Sequence, residues 1–179
     1  MREVVCMAVL VIAGGRFGWA AAGSQDPAPL AEESRPVTFY VGGVSCPSCA
    51  VPVREGIAHV PGVQQIDLSV EEKFLRFRFD ARKTSIQALM KSFIGEEERF
   101  PSRLVLQLED PKAEAEAVER ARTALSSVAG VRAMSLPDAE GVVLVTFHLD
   151  KNTLLLDVLG AAAKAGLPLR DPPAKKPAK

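Results

Sequence analysis

An internal repeat restricts the possible folds of this chain more than any other feature of its sequence. The segment from His59 to Val63 recurs 68 residues later as Ser127 to Val131, with the same valine and glycine positions. Self-similarity at a fixed spacing indicates repeated structural units. The 179 residues are enough for two small units but too few for a large catalytic fold.

Hydrophobic periodicity in the first copy predicts the order strand, helix, strand, strand, helix, strand. Alternating apolar residues from Val37 to Val41 indicate a half-buried strand, and helical spacing follows soon afterwards. Two more strands precede a helix that we expect Thr84 to cap, and Phe100-Pro101 is expected to begin a short closing strand. This order is that of a ferredoxin-like module.

The second copy repeats the same order. We expect Val105 and Leu108 in its first strand, Leu136 in its second strand, and Gly166 as the stop of its last helix. The predicted fold is therefore α+β, with two tandem ferredoxin-like βαββαβ modules, each an antiparallel sheet with two helices on one face. Few residues separate the copies, so the modules are expected to touch.

The first residues resemble a signal peptide. Arg2 precedes an apolar run from Val4 to Ala13, and small residues follow at 20–22. Export to the periplasm or secretion, with cleavage, is the expectation. Glu3 and Arg16 interrupt the pattern and leave a retained anchor as the alternative.

The expected organisation has five segments. They are a signal peptide (1–22), a flexible linker (23–36), a module with two cysteines (37–104), a module without them (105–170) and a disordered tail (171–179).

Charge and composition exclude several functions. The 22 basic residues equal the 22 acidic ones, and the few aromatic residues are not interleaved with basic ones, so we expect no nucleic-acid partner. The sequence contains no convincing nucleophile triad, phosphate loop or paired carboxylates, so we expect a non-enzyme without catalytic residues. A monomer is expected.

Cys46 and Cys49 carry the chemistry that the sequence suggests. They lie three residues apart between the first strand and first helix of module one, whereas Cys6 falls within the leader. Free N–H groups and the dipole at a helix start favour negative charge, so this position favours thiolate, the form that binds metal.

A pair of thiolates without further ligands selects a particular class of ion. Zinc normally takes four ligands, but His59 lies about ten residues further along the helix, roughly 15 Å from Cys49. His148 belongs to the other module, and both histidines are more simply explained as surface residues. Two sulfurs therefore predict a soft ion of the Hg(II), Ag(I) or Cu(I) class.

Three other interpretations of the cysteine pair remain open. The pair could form an inert disulfide in an oxidising compartment, although its small loop would stabilise the fold only weakly. It could act in thiol-disulfide exchange, since Cys-x-x-Cys motifs with an internal proline also occur in thioredoxin-like oxidoreductases. The two modules could also form an interaction protein that binds no metal.

The residues Gly43 to Cys49, Val53 and the segment Val60 to Val63 together resemble the heavy-metal-associated domain family. Within that family, the stretch Phe79 to Ile86 and the segment Phe100-Pro101-Ser102 are similar to periplasmic mercuric-ion-binding proteins. The resemblance implies that Cys46 and Cys49 capture a soft ion and pass it to a membrane transporter by ligand exchange.

The chain departs from the family pattern at several positions. Val44 stands where the family commonly has methionine, which affects loop packing and metal preference. In module two, the repeat spacing places Glu114 and Ala117 at the positions of the two cysteines, so that module is not expected to bind a soft ion. Phe100 matches an aromatic position near the metal loop of the mercury-binding relatives.

Overall fold

The computed structural model describes residues 34–94 and 99–173, which form seven strands and four helices. In chain order these are β1 (Ser34–Val41), α1 (Pro47–Ala58), β2 (Gln64–Ser69), β3 (Phe74–Asp80), α2 (Ile86–Ile94), β4 (Ser102–Leu108), α3 (Ala115–Ser126), β5 (Val131–Met134), β6 (Val142–Phe147), α4 (Leu155–Lys164) and β7 (Leu169–Arg170). The predicted leader lies outside the described residues. Within the described ranges, no helix is long and apolar enough to cross a membrane.

All seven strands belong to one antiparallel sheet of order β2-β3-β1-β4-β6-β5, with β7 also paired to β4. The order β2-β3-β1-β4 is one ferredoxin-like sheet, and β5-β6-β4-β7 is a second one. The prediction of two tandem ferredoxin-like modules is confirmed.

The two modules share strand β4. Its first half pairs with β1 from Ser102 to Val105, and its second half pairs with β7 at Gln107 and Leu108, while β6 pairs along the opposite edge. We expected one strand to close module one and another to open module two. The predicted boundary between residues 104 and 105 instead falls inside this single strand, because its alternating residues serve both sheets.

The four helices cover one face of this sheet. Phe39, Leu104 and Val145 lie opposite one another on neighbouring strands and are buried in one core with residues of every helix. Phe39 also packs edge-on against Phe93 of α2, with ring centroids 5.6 Å apart. Burial of these large side chains is the main stabilising contribution to the fold.

Three local expectations differ from the structure. Ser85 rather than Thr84 caps α2, because its Oγ accepts the Ala88 N–H at 3.2 Å. Leu136 lies beyond β5 and is exposed, since that strand ends at Met134. Strand β4 begins after Pro101, which has no N–H to donate.

At both ends, the folded region includes residues that we expected to belong to the flexible linker or to the disordered tail. Strand β1 begins at Ser34, inside the segment 23–36, and Pro36 is tolerated because β1 pairs there only with β3. Asp171, the first residue of the predicted tail, is half-buried near Thr38 and Arg76.

Candidate metal site

Cys46 and Cys49 lie where the sequence places them, at the start of α1. Cys46 is the N-cap residue, in extended conformation, and Pro47 is the first helical residue. Proline suits this position because the first N–H groups of a helix have no partner within the helix. Both cysteines are partly exposed, and Pro47 and Ser48 between them are exposed.

The two sulfurs are joined in a disulfide, with the Cα atoms 5.2 Å apart. The sequence alone could not show whether the two sulfurs lie close together and accessible. In the structure they are adjacent, and both cysteines are partly exposed. The pair can therefore exist as a disulfide or, once reduced, as two neighbouring thiols.

The start of the helix also supplies hydrogen bonds to the Cys46 sulfur. The Cys49 N–H donates to Cys46 Sγ at 3.2 Å, and Ser48 Oγ lies 3.2 Å from the same sulfur. A sulfur that accepts hydrogen bonds from a helix start is stabilised as an anion. In the structure these contacts are made to a disulfide sulfur, and the thiolate-favouring role of this position in the reduced protein stays a prediction.

A rigid loop holds the first cysteine. The Gly42 N–H donates to the Pro101 carbonyl oxygen at 2.7 Å, and Val44 is fully buried. Gly43 has a φ of +79°, and a Cβ at that position would meet the Arg99 carbonyl oxygen at 2.9 Å. Glycine is therefore required here both for its backbone conformation and for the close approach of the neighbouring segment.

Phe100 lies beside this loop, as its match to the family pattern suggested. It is buried, its ring edge would be 3.5 Å from a Cβ on Gly43, and the Arg99 guanidinium lies 5.2 Å from its ring centroid. The position of Arg99 over this ring was not anticipated, since no periodic pattern marks the segment before β4.

In the described part of the chain, no His, Asp, Glu or further Cys side chain joins the two cysteines in a metal-binding group. Across residues 34–94 and 99–173, no group of three or more His, Cys, Asp or Glu side chains could hold a metal ion together. His59 is the C-cap of α1, where its Nδ1 lies 2.6 Å from the Glu55 carbonyl oxygen. His148 is exposed, and Met90 and Met134 are buried in the core.

Module two has the corresponding helix start without its ligands. Glu114 is the N-cap of α3, the position that Cys46 has in α1, and its side chain makes no capping hydrogen bond. Ala117 is buried at the position equivalent to Cys49. The repeat spacing identified both positions correctly.

Comparison with known proteins identifies relatives of this chain. The heavy-metal-associated domain profile matches residues 38–96. The chain is 35% identical over 75 residues to the mercuric transport protein periplasmic component of Pseudomonas fluorescens, covering 42% of this chain and 80% of that protein. It is 37% identical over 65 residues to the Alcaligenes sp protein of the same name, covering 36% and 71%.

A solved structure is also similar. The oxidized MerP from Ralstonia metallidurans CH34 is 32% identical, with a TM-score of 0.36, and the match covers 40% of this chain and 96% of that one. The identity to the curated relatives, over most of their length, shows the family. The chain belongs to the heavy-metal-associated domain family.

Proposed function

We propose that this protein is an exported carrier of a soft metal ion, Hg(II) or Cu(I), held between Cys46 and Cys49. The observation that carries the proposal is a pair of accessible sulfurs at a helix start, with no third metal-binding side chain grouped with them in the described ranges. Such a donor pair suits an ion that accepts two thiolates and leaves zinc incompletely coordinated.

The names of the relatives support the choice of ion and compartment. Proteins called mercuric transport protein periplasmic component are 35% and 37% identical to this chain over 75 and 65 residues, and the heavy-metal-associated domain profile matches residues 38–96, which include both cysteines. We therefore place Hg(II) first and the periplasm as the site of action, with a cleaved leader. Cu(I) remains the alternative because it has the same preference for thiolate.

Loading requires the reduced form of the protein. A dithiol reductant supplies two electrons and two protons to the Cys46–Cys49 disulfide, giving two thiols, and is itself oxidised to a disulfide. Both thiols lose their protons when the ion binds, so that two metal–sulfur bonds replace two S–H bonds.

Release follows by exchange of thiolates. A thiolate of the acceptor bonds to the ion while one bond to the carrier breaks, and repetition of this step moves the ion. Exposure of Ser45, Pro47 and Ser48 leaves room for an approaching acceptor, which we propose to be a membrane transporter. The carrier acts as a monomer and catalyses no reaction, while module two serves as a docking surface or spacer.

Titration of the reduced protein with Hg(II), Cu(I) and Zn(II) tests this function. We expect tight one-to-one binding of the soft ions and weak binding of zinc. The matched control is the double variant Cys46→Ser, Cys49→Ser, which should lose soft-ion binding. Equal binding by the two proteins would refute the proposal, and an absence of binding by the parent would favour an interaction protein instead.

The disulfide favours one second candidate, a thiol-disulfide redox module. Such a module would reduce or isomerise disulfides in a model substrate with turnover. We expect the reduced protein to show no such turnover above its double serine variant. Turnover by the parent alone would replace the carrier function with the redox one.

A further inference from the structure

We infer that Pro52 acts as a hinge that lets the Cys49 side of the metal site open, a role that rests on the proposed function. Helix α1 contains this proline in its interior, six positions after Cys46. Proline has no N–H, so the Ser48 carbonyl oxygen cannot accept the helical hydrogen bond from residue 52. The turn that carries Cys49 is therefore held less tightly than a regular helical turn.

The proposed cargo requires a movement at this place. In the disulfide the two sulfurs are bonded to each other, whereas a two-coordinate ion holds them on opposite sides. With a zinc–thiolate bond of about 2.3 Å as the scale, the sulfurs would then lie about 4.6 Å apart. At least one cysteine must therefore move away from the other between the disulfide form and the metal-loaded form.

The surroundings of the two cysteines indicate which one moves. On the Cys46 side, Val44 is fully buried and the Gly42 N–H is bonded to Pro101, so the loop is fixed. On the Cys49 side, Ser48, Val51 and Pro52 are exposed. The exposed fraction of Val51 is 49%, which is high for a valine. Movement is therefore expected on the Cys49 side.

The rest of α1 is anchored and cannot follow. Val53 and Ile57 are fully buried, and Gly56 packs directly against the Ser92 carbonyl of α2. Pro52 lies at the junction between this anchored part and the exposed first turn. The missing hydrogen bond thus lies between the anchored part of α1 and the first turn, which is the part expected to move.

The variant Pro52→Ala restores the missing donor and tests the hinge. In the reduced protein we expect slower amide hydrogen exchange at Cys49 and Ala50, because the first turn is tied to the anchored part. We also expect a loss of about three- to tenfold in Hg(II) affinity. Opening of the site must now break one additional backbone hydrogen bond, and the net strength of such a bond corresponds to this change in affinity. Transfer of the ion to a competing thiol should slow as well.

Pro61→Ala is the matched control, since it removes an exposed proline from the turn after α1. It should leave both the exchange of these amides and the affinity unchanged. If the parent binds Hg(II) and Pro52→Ala binds it equally well, the hinge is refuted while the carrier function stands. If the parent itself does not bind Hg(II), the carrier function fails instead.

Discussion

Gln87 of α2 and Thr153 of the loop before α4 exchange two hydrogen bonds between the modules. Gln87 Nε2 donates to Thr153 Oγ1 at 2.8 Å, and the Thr153 N–H donates to Gln87 Oε1 at 2.7 Å. Thr153 Oγ1 in turn donates to the Ala129 carbonyl oxygen at 2.6 Å. Both side chains are buried, so the modules are joined by a satisfied polar network in addition to the shared strand.

Substitution of Gln87 by alanine should destabilise the whole chain. It leaves the buried Thr153 N–H without an acceptor, which costs about 1–3 kcal/mol in addition to the lost packing. Urea unfolding followed by circular dichroism measures the free energy of unfolding. Gln107→Ala is the control. That side chain is half-buried, its Nε2 donates to the Glu140 carbonyl oxygen, and its buried Oε1 has no hydrogen-bond partner, so the substitution should cost less than about 1 kcal/mol.

Two helical glycines should respond in opposite directions to alanine. A Cβ on Gly56 would collide with the Ser92 backbone, whereas a Cβ on Gly160 of α4 meets no atom within 4 Å. We expect Gly56→Ala to lose about 1–3 kcal/mol or more through overpacking, and Gly160→Ala to gain about 0.5–1 kcal/mol from helix propensity. Thermal unfolding of both variants checks this, and equal effects would contradict the packing of α1 on α2.

Alanine at Gly43 should weaken metal binding as well as stability. Gly43 and Gly62 both have left-handed backbone conformations, so alanine costs about 1 kcal/mol at either position. Only Gly43 faces a neighbouring segment, the one that contains Arg99 and Phe100. Hg(II) titration of both variants should therefore show reduced affinity for Gly43→Ala alone. A similar loss in Gly62→Ala would indicate that general destabilisation is responsible.

Asp171 should make stability depend on pH between about 4 and 6. Burial raises the pKa of this carboxyl from 3.8 to about 6, although Thr38 contacts and the charge of Arg76 act in the opposite direction. The folded state therefore takes up a proton more readily than the unfolded state. The contribution of the Asp171 carboxyl to the free energy of unfolding is fully present below pH 4 and is lost as the pH rises through 6. The difference is on the order of 2 kcal/mol.

Comparison with Asp171→Asn isolates this contribution. Urea midpoints at pH 5 and pH 7.5 should show that the parent gains stability at the lower pH relative to the variant. An identical pH dependence of the two proteins would mean that the Asp171 carboxyl is not buried as the structure places it.

The sequence was sufficient to predict the order of the elements and the position of the cysteines. Periodicity located the strands around Phe39 and Phe77, and the repeat placed Glu114 at the helix start equivalent to that of Cys46. These features are local, since each depends on residues a few positions apart.

Features that depend on long-range pairing were not predictable. The alternating residues of β4 fit the closing strand of one module as well as the opening strand of the next, and only the pairing of β1 and β6 shows that one strand does both. Gln87 was not recognised because a glutamine in a helix is ordinarily exposed, and its partner Thr153 lies 66 residues away.

The most direct test of the account is X-ray absorption spectroscopy of the reduced protein loaded with one equivalent of Hg(II). Two sulfur ligands and no further donor are predicted, because no third metal-binding side chain is grouped with Cys46 and Cys49 in the described part of the chain. A first shell with three or four donors, or an unchanged spectrum in the double serine variant, would contradict the two-sulfur site.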